Sequence, residues 1–526
     1  MNRSSLPCVV SPLPWLVLAA LLPPMAACTT HRLAEPTPST RTLDKHRYAQ
    51  SINRKLDILF MVDDSPSMAP LQTKLSQQLG HFIDALASPA TGRLPDLHVA
   101  VVSSSFGGGA WGNVPQCHVG QHPGDDGGKF LQGPGGAGHG ACTMLHAGQT
   151  FLANGNGDTT SPNYDGDIRD AFKCMALLGD DGCGFESQFG AVYTALDKGR
   201  QPDDPDNGGF LRDDALLAVV MVTNEDDCSV AGNALLLDPS VNSVSDPIGL
   251  GALQSYRCNE FGHLCNGQPP PHDAPNGSVT LQNCVSAEQN GKTDPDLRAP
   301  DGSPDPSMGH LWPTVADLTA FLRSLKGNPD DVLVAALAGP TVGDDGQSLY
   351  RVLGQANSSA NGEIDPVVDH SCTHPSQDPG MPEYADPAVR IHQWVKAFDE
   401  NGVFYPICAD DFGAAMKGIA DKINQHLKNA CVAGDIALID AKDPAKGHDC
   451  QVTVPAASGG SARRVLPECA PAGAAVNAPC YRLTFDADAC VQESMIDTTL
   501  LSICDDTACA TAANASLDAT IDCLLN

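Results

Sequence analysis

Leu56-Asp57-Ile58-Leu59-Phe60-Met61-Val62-Asp63-Asp64-Ser65-Pro66-Ser67-Met68 decides how the chain is read. The apolar run has little alternation, the pattern of a strand buried on both faces of a parallel sheet. Asp63, Ser65 and Ser67 follow at alternate positions, just past the carboxyl end of that strand. Open α/β sheets place their ligand sites there. One carboxylate and two hydroxyls are hard oxygen donors, suited to Mg²⁺, Mn²⁺ or Ca²⁺. The plainer alternative is that Asp63 or Ser67 caps the next helix.

Working outward, residues 55–64 form the first strand. Leu71, Leu75, Leu79, Phe82, Ile83 and Leu86 recur at helical spacing across residues 70–87. Further buried strands are expected at 97–102, 216–222, 332–337 and 403–407. Helices are expected at 167–178, 186–198, 315–326, 389–400 and 412–429. Strand and helix alternate throughout, which implies an α/β fold with a doubly wound, mostly parallel sheet. Residues 229–312 are rich in Pro, Gly, Asn and Asp and read as a large loop insertion. From about residue 431 short alternating runs replace this pattern. Residues 431–526 therefore read as a small β-rich domain stapled by disulfides.

The Asp63-x-Ser65-x-Ser67 pattern after a buried strand resembles the metal-ion-dependent adhesion site of the von Willebrand factor A (VWA) family. The resemblance covers residues 55–430 and implies a VWA/Rossmann-like domain in a bacterial cell-surface protein. Such domains bind a divalent cation through this loop, a threonine of a second loop and an aspartate of a third, and a partner's carboxylate often completes the coordination. The second loop matches Gly182–Glu186, which lacks the threonine; Glu186 substitutes there or favours the following helix N-terminus. The third loop's aspartate corresponds to Asn224, with Glu225 or Asp226 able to restore the missing charge. The expected metal ligands are Asp63, Ser65, Ser67, Asn224, Glu225 and Glu186, with Mg²⁺ (or Mn²⁺/Ca²⁺) as the ion.

Residues 1–27 carry Arg3 and an apolar core too short to span a bilayer, the pattern of a secretion signal. Met25-Ala26-Ala27-Cys28 resembles a bacterial lipobox, which makes Cys28 the expected lipidation site and residues 28–54 a flexible tether. The expected location is the outer membrane or cell surface, held by the lipid anchor alone. Of 20 cysteines, loss of Cys8 and lipidation of Cys28 leave 18, ten before Cys431 and eight from it onward. Both groups are even, so each is expected to pair internally in an oxidising compartment. Cys117 and Cys142 are a candidate staple.

The formal net charge of −32 repels phosphate backbones and argues against nucleic-acid binding. Asn154-x-Asn156-x-Asp158 is better explained by Asn/Gly turns than by a calcium loop. Gly291-Lys292-Thr293 lacks the first glycine of a phosphate loop. No His-Glu-x-x-His or Gly-x-Ser-x-Gly occurs. The expected function is non-catalytic, metal-dependent binding of a protein ligand that offers an acidic residue. An exported hydrolase, or a structural envelope protein with a degenerate site, are the alternatives.

Overall fold

The computed structural model describes residues 47–524, except for short segments and the longer stretches 288–310, 470–478, 486–498 and 505–518. Six strands form the central sheet: β1 (Lys55–Val62), β2 (Asp96–Ser103), β3 (Leu152–Ala153), β4 (Leu216–Val222), β5 (Val332–Ala338) and β6 (Gly402–Pro406). Their spatial order is β6-β5-β4-β1-β2-β3. All neighbours are parallel except β3, which runs antiparallel to β2. From β1 the chain builds outward to β2 and β3. It then returns to the other side of β1 and builds outward through β4, β5 and β6. The order therefore reverses between β1 and β4, where Val62 pairs with Val222.

Seven α-helices occur among the described residues: α1 (Ala69–Ala85), α2 (Ile168–Ala176), α3 (Gln188–Gly199), α4 (Tyr256–Gly262), α5 (Val315–Ser324), α6 (Val389–Lys396) and α7 (Gly413–His426). The side-chain period of two along β1 sends Ile58, Phe60 and Val62 to one face, into a cluster with Leu75 and Phe82 of α1, Phe172 of α2 and Ile419 of α7. Leu59 and Met61 point the other way, toward Leu196 of α3, Leu322 of α5 and Trp394 of α6. Both faces are covered, which is why the strands are apolar throughout. Phe60 meets Phe82 edge-on at 5.3 Å and Phe172 at 4.9 Å.

At the amino end of β1, Asp57 is fully buried. It accepts from Arg212 Nε at 2.8 Å and from the Arg212 backbone at 2.8 Å, with Lys326 Nζ at 3.4 Å. This network ties the β4 and β5 approaches to β1, far along the strand from Asp63.

A long segment joins β4 to α5, and a second joins β5 to α6. Ser278–Thr280 of the first pairs with Arg351–Ala356 of the second, which pairs in turn with Ile364–Asp369. The ten cysteines before Cys431 pair internally, as Cys117–Cys183, Cys142–Cys174, Cys228–Cys258, Cys265–Cys284 and Cys372–Cys408. The expected Cys117–Cys142 staple is not formed. Cys142 packs in the α1–α2 face of the core, beside Cys174, whereas Cys117 belongs to a separate cluster with Cys183.

Beyond Cys431 the sheets are antiparallel, with a small core of Val452, Leu466, Tyr481, Leu501 and Ile521. Cys450–Cys523 and Cys469–Cys480 staple them. The expected tether through residue 54 requires correction, because Arg47–Ile52 pairs along its length with Ala519–Leu524. That partner lies at the far end of the chain, where local composition cannot reveal it. The chain from Lys45 onward forms one compact unit. Among the described residues no helix is long and apolar enough to cross a membrane. The leader, Cys28, Asn156, Asp158 and the Gly291-Lys292-Thr293 run lie outside the described residues.

Candidate functional site

Asp63 and Thr223 leave β1 and β4 side by side at the reversal of strand order. Asp63 is fully buried. Its Oδ1 accepts from the Ser65 backbone at 2.9 Å and from Ser104 Oγ at 3.0 Å, and its Oδ2 from Thr223 Oγ1 at 2.6 Å. Burial pushes the Asp63 carboxyl above its ordinary value, while the hydrogen bonds from Thr223, Ser65 and Ser104 pull it down.

The hydroxyls continue this set. Ser65 Oγ and Ser67 Oγ lie 3.0 Å apart, and Ser67 Oγ donates to Asn224 Oδ1 at 3.1 Å. Asn224 is fixed in turn by donation to the Tyr384 carbonyl at 3.2 Å, and its own carbonyl accepts from the Asp386 backbone at 2.8 Å. Four of the six expected ligands, Asp63, Ser65, Ser67 and Asn224, are thus joined by direct contacts across two strand ends. The helix-cap alternative does not describe them. The N-cap residue of α1 is Met68, and no side chain caps that end.

Glu186 and Glu225 form a second arm. They hydrogen-bond to each other, and burial is the main cause that raises both carboxyls, reinforced by the charge of Asp63 on each and of Asp386 on Glu225. Glu186 is 1% exposed, and its Oε1 is buried without a hydrogen-bond partner. Glu186 does not cap α3: the first α3 amides donate to Asp227 Oδ1 at 2.8 Å and Ser229 Oγ at 2.8 Å. Gly182 brings this loop against β1, with its amide 2.7 Å from the Asp64 carbonyl. A Cβ there would lie 2.3 Å from Asp64 Oδ1, so only glycine permits the approach.

Asp226 serves elsewhere. Burial raises its carboxyl, but the hydrogen bond and charge of His263, at 2.7 Å, outweigh this and hold it low. It also accepts from the Arg390 and Ile391 amides at the start of α6. Of the two residues expected to restore charge beside Asn224, only Glu225 stands with the candidate site.

Sequence reading missed Ser104, Thr223 and Asp386. Thr223 directly follows the strand expected at 216–222, and the register of β1 on β4 makes it the neighbour of Asp63. Ser104 follows the end of β2 in the same way, since Val62 pairs with Ser103, whereas Asp386 carried no local signal and reaches the site only through tertiary packing. Among the described residues no three His, Cys, Asp or Glu side chains converge closely enough to hold a metal ion. The oxygen set at Asp63 is instead a mixture of carboxylate, hydroxyl and amide, the hard donor chemistry of Mg²⁺, Mn²⁺ and Ca²⁺.

No family model and no curated protein matches the chain. Among solved structures it is similar to the pilus adhesin SpaC from Lactobacillus rhamnosus GG in its open conformation. That match has 10% identity and a TM-score of 0.27, over 91% of this chain and 40% of that one. It is also similar to the adhesive tip pilin GBS104 from Group B Streptococcus agalactiae, with 12% identity and a TM-score of 0.26, over 93% and 83%. The chain thus spans less than half the length of the first. Likenesses at this level do not establish a shared fold.

Proposed function

We propose that the chain is a VWA-type binding module of an exported lipoprotein, and that it captures a protein partner through a divalent cation without catalysis. One observation carries the reading. Asp63, Ser65, Ser67 and Asn224 form one continuous hydrogen-bonded set where the strand order reverses, the place where open α/β sheets bind ligands.

The residues fit a hard cation. Asp63, Ser65, Ser67 and Asn224 would hold Mg²⁺, with Glu186 and Glu225 adding negative charge or ligating beside them. The bound ion would attract a carboxylate from the partner. The chain's own residues do the rest. Thr223 and Ser104 orient Asp63, Tyr384 and Asp386 hold Asn224, and the β1–β4 register fixes the two arms. All three acidic side chains are raised by burial, and a cation would relieve that cost.

The hydroxyls of the two serines are engaged with each other, Asp63, Asn224 and Tyr384. Lipid attachment at Cys28 and cell-surface placement complete the proposal. Capture of a surface-protein partner by the immobilised mature protein should require Mg²⁺ or Mn²⁺ and be abolished by chelator. Equal capture with and without chelator would contradict it.

A further inference from the structure

In the proposed cation set Asp63, Ser65 and Asn224 are buried, and only Ser67 is half-buried. An approach from solvent to these four residues therefore passes Ser67. Tyr384 stands at that point. Its hydroxyl hydrogen-bonds with Ser67, and its carbonyl accepts from Asn224 at 3.2 Å. Tyr384 lies in the short strand Glu383–Ala385, which runs antiparallel to Cys372–His374. Alternation along the strand sends its two neighbours inward. Glu383 is buried against Lys74 of α1, and Ala385 packs in the core face that holds α1 and α7. The Tyr384 side chain points the other way, and among the described residues it joins none of the hydrophobic clusters. Its ring stacks on that of His370 at 3.9 Å with 21° between the planes, and His370 is held by Asp386 at 2.7 Å. Core packing therefore does not explain the place of this phenol, whereas the oxygen set does.

We propose that Tyr384 covers the cation face in the place of the partner's acidic residue, so that capture requires the phenol to withdraw from Ser67. This rests on the cation reading above. A phenol is a neutral oxygen with one hydrogen to donate, whereas a carboxylate brings a full charge to a divalent ion. An acidic residue of the partner therefore displaces the phenol once the ion is bound, and a neutral side chain competes with it poorly. Withdrawal is a local event. The anchors of the strand, Glu383 on Lys74 and Ala385 in the core, lie on its opposite face, so the phenol swings out by a change of side-chain rotamer while the strand stays paired. Apparent affinity for the partner is then lowered by the fraction of chains that are uncovered. Tyr384 thus acts as a specificity-determining residue: it holds off weak and neutral contacts, and a charged oxygen overcomes it.

The test is calorimetric titration of the full mature chain, first with Mg²⁺ alone, then with N-acetyl-glutamate amide and N-acetyl-glutamine amide, each in saturating Mg²⁺ and in chelator. Tyr384→Phe removes the hydrogen bond to Ser67 and should tighten the glutamate amide about threefold or more. Tyr384→Ala also removes the ring and should tighten it about tenfold or more. Both gains should need Mg²⁺, and melting curves confirm that both variants fold. Mg²⁺ alone should bind Tyr384→Phe at least as tightly as wild type, because the phenol competes for the face of the ion. Equal binding of the glutamate amide by wild type and the folded variants, with Mg²⁺ bound by all three, would overturn the cover and leave the cation reading standing. Weaker Mg²⁺ binding by Tyr384→Phe would make the phenol a ligand of the ion and overturn the cover. An equal gain for the glutamine amide would overturn the role in selecting an acidic residue. Absence of Mg²⁺ binding in all three proteins would bring down the cation reading itself, and the cover with it.

Discussion

Thr223 Oγ1 lies 2.6 Å from Asp63 Oδ2, so the hydroxyl that ends β4 is tied to the carboxylate that ends β1. The contact crosses 160 residues of sequence and exists because Val62 is paired with Val222 in the parallel ladder. It fixes the orientation of the buried carboxylate at the centre of the proposed cation set.

Thr223→Val keeps the shape and removes that hydrogen bond. A lost bond to a charged group costs about 1.5–3 kcal/mol, so Mg²⁺ affinity should fall roughly tenfold or more. Thr223→Ser should retain most of it. Calorimetry on the three proteins checks this, and an unchanged affinity in Thr223→Val would show that Thr223 does not orient Asp63.

Asn224→Asp places a carboxylate where the amide oxygen accepts from Ser67. It should tighten Mg²⁺ binding, by adding charge beside the ion, and lower the stability of the metal-free protein, by adding a charge beside Asp63 and Glu225. Thermal melts with Mg²⁺ and with chelator should therefore diverge more in the variant than in wild type.

Stability without metal should fall as pH rises. Folding raises the Glu186 and Glu225 carboxyls, Glu225 to about 8. The folded protein then holds protons that the unfolded chain has released. The stability linked to this is complete below the ordinary glutamate range near 4.5 and is lost as pH climbs through the raised values. Cation binding opposes the same protons and should tighten over that interval. Urea unfolding between pH 5 and pH 8.5 in chelator measures the first trend. A flat profile for this part of the titration, judged against Glu186→Gln/Glu225→Gln, would contradict it.

Asp57→Ala provides the opposite contrast. It strips the buried partner of Arg212 and Lys326 at the far end of β1. Breaking a buried pair from one side costs about 3–5 kcal/mol, yet the folded fraction should bind Mg²⁺ as wild type does. A loss of affinity in folded Asp57→Ala would mean that the two ends of β1 are coupled.

Much of this architecture was legible along the chain. The apolar runs at β1, β2, β4 and β5 announce strands covered on both faces, and they appear within two residues of the expected bounds. Strand β3 is two residues long and carries no pattern to read. Asp63, Ser65 and Ser67 stood at a strand end and could be placed by that alone, and Asn224 and Glu225 by the same logic at β4. Ser104, just past the end of β2, was open to the same logic, whereas Tyr384 and Asp386 were not, because each owes its position to packing of separate elements at the sheet's carboxyl edge. The pairing of Cys117 with Cys183 was hidden for the same reason: spacing along the chain does not say which face of the core a cysteine joins.

The central claim is that Asp63 anchors a cation, and calorimetric titration of Mg²⁺ and Mn²⁺ into wild type and Asp63→Ala tests it most directly. The account predicts saturable binding of one ion by wild type, lost in Asp63→Ala while the variant retains its fold by circular dichroism. Equal affinity of the two proteins, or no binding by either, would contradict it.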